Sequence, residues 1–379
     1  MEFCLMYLKN LHLLNFKNYS SLELDFTEGI NCFVGNNGEG KTNLLDAIYY
    51  LSMCKSYFNF VDSQNIKHGE QFFLVKGNVV MDYKSEISNN ETDELYCGFK
   101  VNQGKVFKRN GKEYQRLSDH IGMFPCVMIS PTDINLVWQG SDDRRKLIDS
   151  IISQFDTKYL DQLINYNKAI AQRNAQLKRF ATLRYFDQSE LEIWDELIVS
   201  LGSEIYHTRK IFLSDFVPVF NKYYQFLSDG KELVGIEYDT NLRDGEFQQL
   251  LNDALEKDRV LQYTSVGIHK DDLLFSINNF PLKKQGSQGQ QKSFLIAIKL
   301  AQFEYIRYKK GIKPVLLLDD VFDKLDQSRV SRLMTLVSEE TFGQIFVTDT
   351  HLERIQNIFQ EINVAVRIYI IKNGNASFI

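Results

Sequence analysis

The run Gly35-Asn36-Asn37-Gly38-Glu39-Gly40-Lys41-Thr42 satisfies every fixed position of the phosphate-loop pattern G-x-x-x-x-G-K-[ST]. A phosphate is held by several backbone N–H donors converging on one point. Glycines at 35, 38 and 40 let the chain curl that tightly, because they accept positive φ and carry no side chain into the approach. Lys41 supplies a point charge for the β/γ-phosphates of ATP, and the Thr42 hydroxyl suits a Mg²⁺ ligand. A glycine-rich turn that binds nothing is the alternative. The flanks argue against it: Ile30-Asn31-Cys32-Phe33-Val34 reads as a buried strand and Asn43 to Leu51 as the helix that must follow such a loop.

Two further stretches carry chemistry. Pro314-Val315-Leu316-Leu317-Leu318-Asp319-Asp320 is an apolar run ending in two carboxylates, the pattern of a strand covered on both faces. Ligands of such sheets collect at the carboxyl ends of the strands, where the phosphate loop also emerges. Asp319 suits the Mg²⁺ and Asp320 an attacking water; a plain strand cap is the competing reading. Gly286-Ser287-Gln288-Gly289-Gln290-Gln291 opens a helix expected over Lys292 to Tyr308, with Ser287 able to cap it. Its first-turn N–H groups form a second anion site, or belong simply to a well-capped helix.

The elements that must position these residues follow from patterning. Tyr7–Phe16 and Leu22–Phe26 read as strands leading into the loop, and Phe72–Met81 and Leu95–Val101 as strands of an antiparallel layer. Asn110-Gly111 is the strongest hairpin signal in the chain. Cys126–Ile129 reads as a buried strand. From Ser141 the period changes: Leu160, Leu163, Asn167, Ile170, Asn174 and Leu177, then Leu191, Trp194, Ile198, Leu201 and Ile205, follow three- and four-residue spacing, with a reversal at Tyr185–Ser189. This predicts two long helices on a narrow seam, an inserted arm. A strand at Leu233–Tyr238, a helix at Asp244–Leu255 and renewed β character at Thr264–Asn278 precede a final α/β stretch. The fold class is α/β, with domains expected at 1–130, 131–258 and 259–379.

Composition sets the limits. With 379 residues, 44% hydrophobic and 25% charged, the chain is an ordinary globular one with room for a sizeable core. No apolar run approaches a membrane span, and the start (Met1 or Met6) lacks a signal-peptide pattern. Five scattered cysteines without a C-x-x-C pair favour a reducing cytoplasm and give no zinc motif. A net charge of −5 rules out a global basic field, so DNA contact would need a local patch.

Ser287-Gln288-Gly289-Gln290-Gln291 resembles the signature motif of ABC-type ATPases, Asp319-Asp320 their Walker B pair and Asp323-Lys324-Leu325-Asp326 their D-loop. Together with Leu14-Asn15-Phe16-Lys17-Asn18-Tyr19, Lys55-Ser56-Tyr57, Ser130-Pro131-Thr132-Asp133, Asp143 to Asp149 and Gly267 to Asp272, the chain is similar over nearly its whole length to the RecF family. These are relatives of the Rad50 and SMC heads. The resemblance implies an ABC-type ATPase head with an inserted helical lobe, in which two copies sandwich ATP and Mg²⁺ head to tail. The phosphate loop of one copy then faces Ser287, Gly289 and Gln290 of the other, and Lys17 and Asn18 match positions near base and ribose. It further implies a slow, DNA-stimulated ATPase switch that clamps gapped or single-strand/double-strand junction DNA in recombinational repair, replication and SOS induction, with RecR- and RecO-type partners. Phe58, Ile268 and Lys270 depart from the family pattern. Asp320 stands where most ABC ATPases have glutamate, and its shorter reach implies slow hydrolysis. Asp349 occupies the switch-histidine register, with His351 two residues on.

Candidate DNA cations are Arg144, Arg145 and Lys146, and Lys168, Arg173, Lys178, Arg179 and Arg184 along the first arm helix. A solvated helix face is the competing reading, and Arg144 and Arg145 could instead pair with Asp142, Asp143 or Asp149. Rival functions are an ATPase subunit of a transporter, disfavoured by the helical insertion, and an SMC-type structural head, which needs a longer coiled coil.

Overall fold

The computed structural model describes residues 3–82, 91–242, 247–322, 327–338, 342–361 and 364–379. The first strand, β1 (Leu5–Phe16), reverses through Lys17-Asn18 into β2 (Tyr19–Asp25). Asn15 and Lys17 take φ of 53° and 52° to make that reversal. β3 (Ile30–Val34) is buried at every position, as expected of its apolar run. Its one polar side chain, Asn31, is satisfied by the backbone of Thr27 and Gly29. After the phosphate-loop helix Lys41–Met53 come β4 (Phe72–Asp82), β5 (Glu91–Lys100), β6 (Gly104–Arg109), β7 (Lys112–Glu113) and β8 (Cys126–Ile129). Asn110-Gly111 turns β6 into β7 with φ of 51° and 76°. The remaining strands are β9 (Val234–Asp239), β10 (Asp272–Ile277), β11 (Phe280–Pro281), β12 (Val315–Leu318), β13 (Ile345–Asp349), β14 (Val366–Lys372) and β15 (Asn375–Phe378).

An antiparallel sheet has the order β2-β1-β4-β5-β6-β7. A second sheet, β15-β14-β3-β13-β12-β8, is parallel except for β15. Lys41–Met53 packs on β1, β4 and β5 of the first sheet and on β8 and β13 of the second. That placement explains why the helix is apolar almost all round, with Leu44, Leu45, Ala47, Ile48, Tyr50 and Leu51 all 0% exposed. Burying each large apolar side chain of this kind contributes about 1.5–3 kcal/mol, so the phosphate loop is anchored in the main core. Gln344, also buried, ties the two sheets together. It donates to the carbonyls of Leu8 and Thr27 at 2.8 Å each and accepts the Leu8 N–H at 2.7 Å.

Two compact units result: Met1–Ile134 with Lys222–Lys231 and Ser287–Ile379, and Asn135–Asn221 with Glu232–Gly286. The expected boundary at 258/259 moves to 286/287. The reason is that β10 pairs with β9, and its first residue Asp272 and the preceding Asp271 receive arginines from helices of the second unit. That unit holds helices Ser141–Ser153, Thr157–Leu183 and most of Ser189–Ser228, two short helices at Phe247–Asp253 and Leu255–Leu261 in place of the single expected one, and the small sheet β11-β10-β9. Residues 243–246, where the single helix was expected to start, lie outside the described residues. The reversal falls where predicted, and Asp187 accepts the N–H of Ser189 to start the next helix.

The seam is rotated from expectation. Tyr159, Tyr166, Ala169, Arg173, Leu177 and Phe180 are buried, while Asn167 is exposed. Tyr166 and Arg173 find polar partners inside, so the larger side chains set the face turned inward. On the following helix Leu191, Ile198 and Ile205 are buried as expected.

Candidate functional site

The parallel sheet brings distant residues to one edge. Val34, Ile129, Leu318 and Asp349 end neighbouring parallel strands, so Gly35, Ser130 and Asp319 leave the sheet on the same side. The Gly35 N–H donates to the Asp349 carbonyl at 3.2 Å, and the Asp319 N–H to the Ile129 carbonyl at 2.8 Å. A Cβ at Gly35 would collide with the Ile371 carbonyl on β14. Gly40, at φ 111°, is the N-terminal cap of the loop helix, and a Cβ there would strike Asn18 and the Tyr19 hydroxyl.

Asn18 Nδ2 donates to the Glu39 carbonyl at 3.0 Å and Tyr19 OH to the Gly40 carbonyl at 3.0 Å. Asn43 Nδ2 donates to Asn18 Oδ1 at 2.8 Å, and the Glu39 carboxylate accepts the Asn373 N–H. Carbonyls on the outer side of the loop are thus tied down. The helix start has no side-chain cap and no acidic residue in its first turn, leaving its N–H groups to an anion. Lys41, 4% exposed, folds back over the loop to the carbonyls of Gly35 (2.8 Å) and Asn36 (3.0 Å). Lys17, expected near the nucleotide, is ion-paired to buried Asp46, its ammonium 5.7 Å from the Phe16 ring and 5.4 Å from the Phe58 ring. Lys17 and Asn18 therefore brace the loop, and Phe58 lies against that brace.

The Walker B pair stands opposite. Thr42 Oγ1 donates to Asp319 Oδ1 at 2.8 Å and Thr348 Oγ1 to the same oxygen at 3.0 Å. Burial raises the Asp319 carboxyl to about 6, against the lowering pull of those two hydroxyls. Asp320 has φ 44°, and its N–H donates to Thr348 Oγ1 at 2.9 Å. A hydroxyl beside a buried carboxylate is a hard-oxygen pair that fits Mg²⁺. Among the described residues no group of three or more His, Cys, Asp or Glu side chains could hold a metal alone. A cation here would therefore share its coordination with phosphate oxygens, as Mg²⁺ does with nucleotides.

The signature stretch begins a helix at Gln288, four residues before the expected Lys292, and the helix runs to Lys310. Ser287 Oγ accepts the Gln290 N–H at 3.3 Å, and Gln290 Oε1 accepts the Ser287 N–H at 2.8 Å, a complete capping box. Capping uses an oxygen lone pair of Ser287 and leaves its hydroxyl proton to donate to an anion. Ser287 is exposed, and a Cβ at Gly289 would lie 3.2 Å from Arg329. Asp349, in the switch register, is 1% exposed and gripped by Arg354 through two contacts at 2.9 and 2.7 Å; it also accepts the His351 N–H. The His351 side chain is 70% exposed. The D-loop residues 323–326 lie outside the described residues.

The family described as RecF/RecN/SMC N terminal domain matches residues 7–377. The protein of Flavobacterium johnsoniae named "DNA replication and repair protein RecF" is 50% identical over 364 residues, covering 96% of this chain and 99% of that relative. The protein of the same name from Phocaeicola vulgatus is 45% identical over 98% of both chains. The chain belongs to the RecF family. A solved RecF structure described as the recombination mediator protein "RecF-ATP in RecFOR pathway" superposes with a TM-score of 0.88 at 30% identity, covering 100% of this chain and 98% of that one. An Smc head from Pyrococcus furiosus shares the fold at 17% identity, TM-score 0.57, over 99% and 96% of the two chains. The fold is thus the ABC-type ATPase head of RecF and SMC proteins.

One feature of this RecF-family head escaped sequence reading. Asp46 on the loop helix accepts Ser56 Oγ at 2.6 Å and the Tyr57 N–H at 2.7 Å. The Tyr57 hydroxyl donates to Asp133, and Lys299 of the signature helix meets both Tyr57 OH (2.9 Å) and Asp133 (3.1 Å). Lys-Ser-Tyr and Ser-Pro-Thr-Asp thus join the helix Lys41–Met53 to the helix Gln288–Lys310. A buried lysine amid the apolar residues of Gln288–Lys310 was the available signal.

The second unit sorts the proposed DNA cations. Arg144 is held by both oxygens of Asp272, at 2.6 and 2.9 Å, and Arg145 by the Asp271 carbonyl (2.6 Å) and Asp142. Lys146 reaches Asp143 at 3.6 Å. Arg173 is a correction: it is 0% exposed, between Asp195 (2.6 Å) and Asp258 (2.6 Å). A cation so enclosed serves the unit's core and cannot meet a phosphate. Lys178, Arg179 and Arg184 are exposed, Arg179 lying 3.4 Å from Glu190. Among the described residues no helix is long and apolar enough to cross a membrane.

Proposed function

We propose that this chain is an ATP-dependent DNA-binding protein of recombinational repair and replication-fork maintenance, in which two copies close head to tail on ATP and Mg²⁺ and hold DNA until hydrolysis releases it. The observation that carries the reading is the buried Lys41 folded over the loop at an uncapped helix start, beside a Thr42–Asp319 oxygen pair. Thr42 and Asp319 would hold Mg²⁺, which neutralises phosphate charge when bound. Lys41 would hold the β/γ-phosphates, with the backbone of Gly35, Asn36, Asn37, Gly38, Glu39 and Gly40 around them. Asp320 would orient the attacking water and take its proton. Its short side chain supports slow turnover, and rates like those of transporter ATPases would contradict this.

The exposed hydroxyl proton of Ser287 supports a second copy's nucleotide as its acceptor, with Gly289 and Gln290 alongside. For DNA, the exposed Lys178 and Arg179 are better placed than Arg144 and Arg145, whose guanidinium groups are already engaged. The relatives' names, with their DNA replication and repair and their RecFOR pathway, support DNA as the substrate and RecO- and RecR-type partners; gapped or junction DNA is what the family resemblance implies.

The test mixes a Lys41→Met chain with a Ser287→Arg chain and measures ATP-dependent dimerisation and DNA retention. Each variant alone should fail to dimerise, and the mixture should recover one composite site of two. Normal ATP-dependent dimerisation by either variant alone would overturn the head-to-tail reading.

A further inference from the structure

We propose that Thr348 is a positioning residue of the nucleotide site, one hydroxyl holding Asp319 and Asp320 in a fixed relation to each other. The inference rests on the reading of those two carboxylates as the metal and water residues. Thr348 is 0% exposed on β13, between β3 and β12, where its neighbours Val347 and Asp349 pair with Leu318 and Val34. Its Oγ1 lies 3.0 Å from Asp319 Oδ1 and 2.9 Å from the Asp320 nitrogen. A hydroxyl has one proton and two lone pairs. The proton goes to the Asp319 carboxylate, which has none to give when ionised, and a lone pair receives the Asp320 N–H.

Asp320 needs that acceptor. It sits at φ 44°, a left-handed conformation that costs most residues with a Cβ and that aspartate tolerates better than most, and the Thr348 oxygen is the acceptor that its N–H meets there. If its N–H swung back to an extended conformation, the direction of its carboxylate would change with it. Thr348 therefore sets where the Asp320 side chain leaves the backbone, while also fixing the oxygen of Asp319 that Thr42 shares. The β-branch of threonine restricts χ1, so the hydroxyl is held on the side facing β12. Serine keeps the hydroxyl, and valine keeps the shape without it.

The test uses the full chain with Thr348→Val and Thr348→Ser. It measures the Mg²⁺ concentration that half-saturates binding of a fluorescent ATP analogue, then kcat and KM for ATP, and thermal unfolding. The valine variant should need about tenfold more Mg²⁺ and lose about tenfold or more in kcat, with KM for ATP changed far less; losing a hydrogen bond to a charged group is an effect of that size. The serine variant should stay within about twofold of the parent on both readouts. A residue with a merely structural role would lower the unfolding temperature and leave the Mg²⁺ dependence alone. Should the valine variant fail to fold, Thr348→Ala set against Thr348→Ser makes the same comparison. A folded valine or alanine variant with parental Mg²⁺ dependence and kcat overturns the proposal, as does a serine variant as impaired as valine. If the parent chain neither binds Mg²⁺-ATP nor hydrolyses it, the reading of the site falls, and this inference with it.

Discussion

In the second unit the deeply buried arginines are gripped by carboxylates: Arg173 by Asp195 and Asp258, Arg209 by Asp149 at 2.8 Å and Asp271 at 3.0 Å. At the phosphate loop, Lys41 and Asp319 are equally deep, 4% and 3% exposed, yet among the described residues neither has an opposite charge within ion-pair distance. Burial opposes the charge of Arg209, and its acidic neighbours outweigh that, holding its pKa above the ordinary range. Burial also opposes the charge of Asp319, and two hydroxyls do not outweigh it. A buried charge that is paired builds architecture; one left to carbonyls and hydroxyls marks where a ligand brings the missing charge.

That contrast can be broken most severely at Arg209. Arg209→Met should destabilise the protein by about 3–5 kcal/mol, because buried Asp271 and half-buried Asp149 would be left without their partner. Denaturant unfolding measures it. A loss below about 1 kcal/mol would mean that the pair contributes little and that pairing is no guide to architecture.

A smaller effect shared by both units sharpens the comparison by showing what pairing does not cover. Burial lowers His120 and His269 to about 4 each. Each ring accepts or donates between a tyrosine hydroxyl and a backbone carbonyl, Tyr114 and Leu51 for His120, Tyr166 and Thr264 for His269. The folded chain thus binds fewer protons there than the unfolded chain between about pH 4 and pH 6.5. Stability from these groups is complete above pH 6.5 and is lost as pH falls toward 4, by up to about 3 kcal/mol per ring. Unfolding curves across that window should steepen accordingly, and His120→Gln with His269→Gln should flatten them.

Much of this was legible in the sequence. The phosphate loop, β3 and β12 were readable because a parallel strand covered on both faces is a continuous apolar run and the loop has fixed positions. The Ser287 cap was readable from the sequence, but the helix begins four residues before the expected Lys292, and that earlier start is what lets Gln290 close the capping box. What escaped depends on pairings far apart in the chain. Arg144 meets Asp272 and Lys299 meets Asp133 across long stretches, and no periodicity reports such partners. Arg173 looked like any cation on a helix until the rotation of the seam turned it inward. Thr348 was invisible because threonine in a buried strand has an ordinary structural explanation.

The central claim is that Asp319 is held in the fold at a cost that a bound cation relieves. Its carboxyl is raised from 3.8 to about 6, so the folded chain gains from its proton below about pH 4, and that gain is gone once pH passes 6. Asp319→Asn keeps the shape and removes the charge. Unfolding free energy at pH 8, measured with and without Mg²⁺-ATP, decides the matter. Without nucleotide the variant should be more stable than the parent, on the order of 2 kcal/mol; with Mg²⁺-ATP the parent should gain stability and the variant gain little. A variant less stable than the parent without nucleotide, or equally stabilised by Mg²⁺-ATP, would contradict the account.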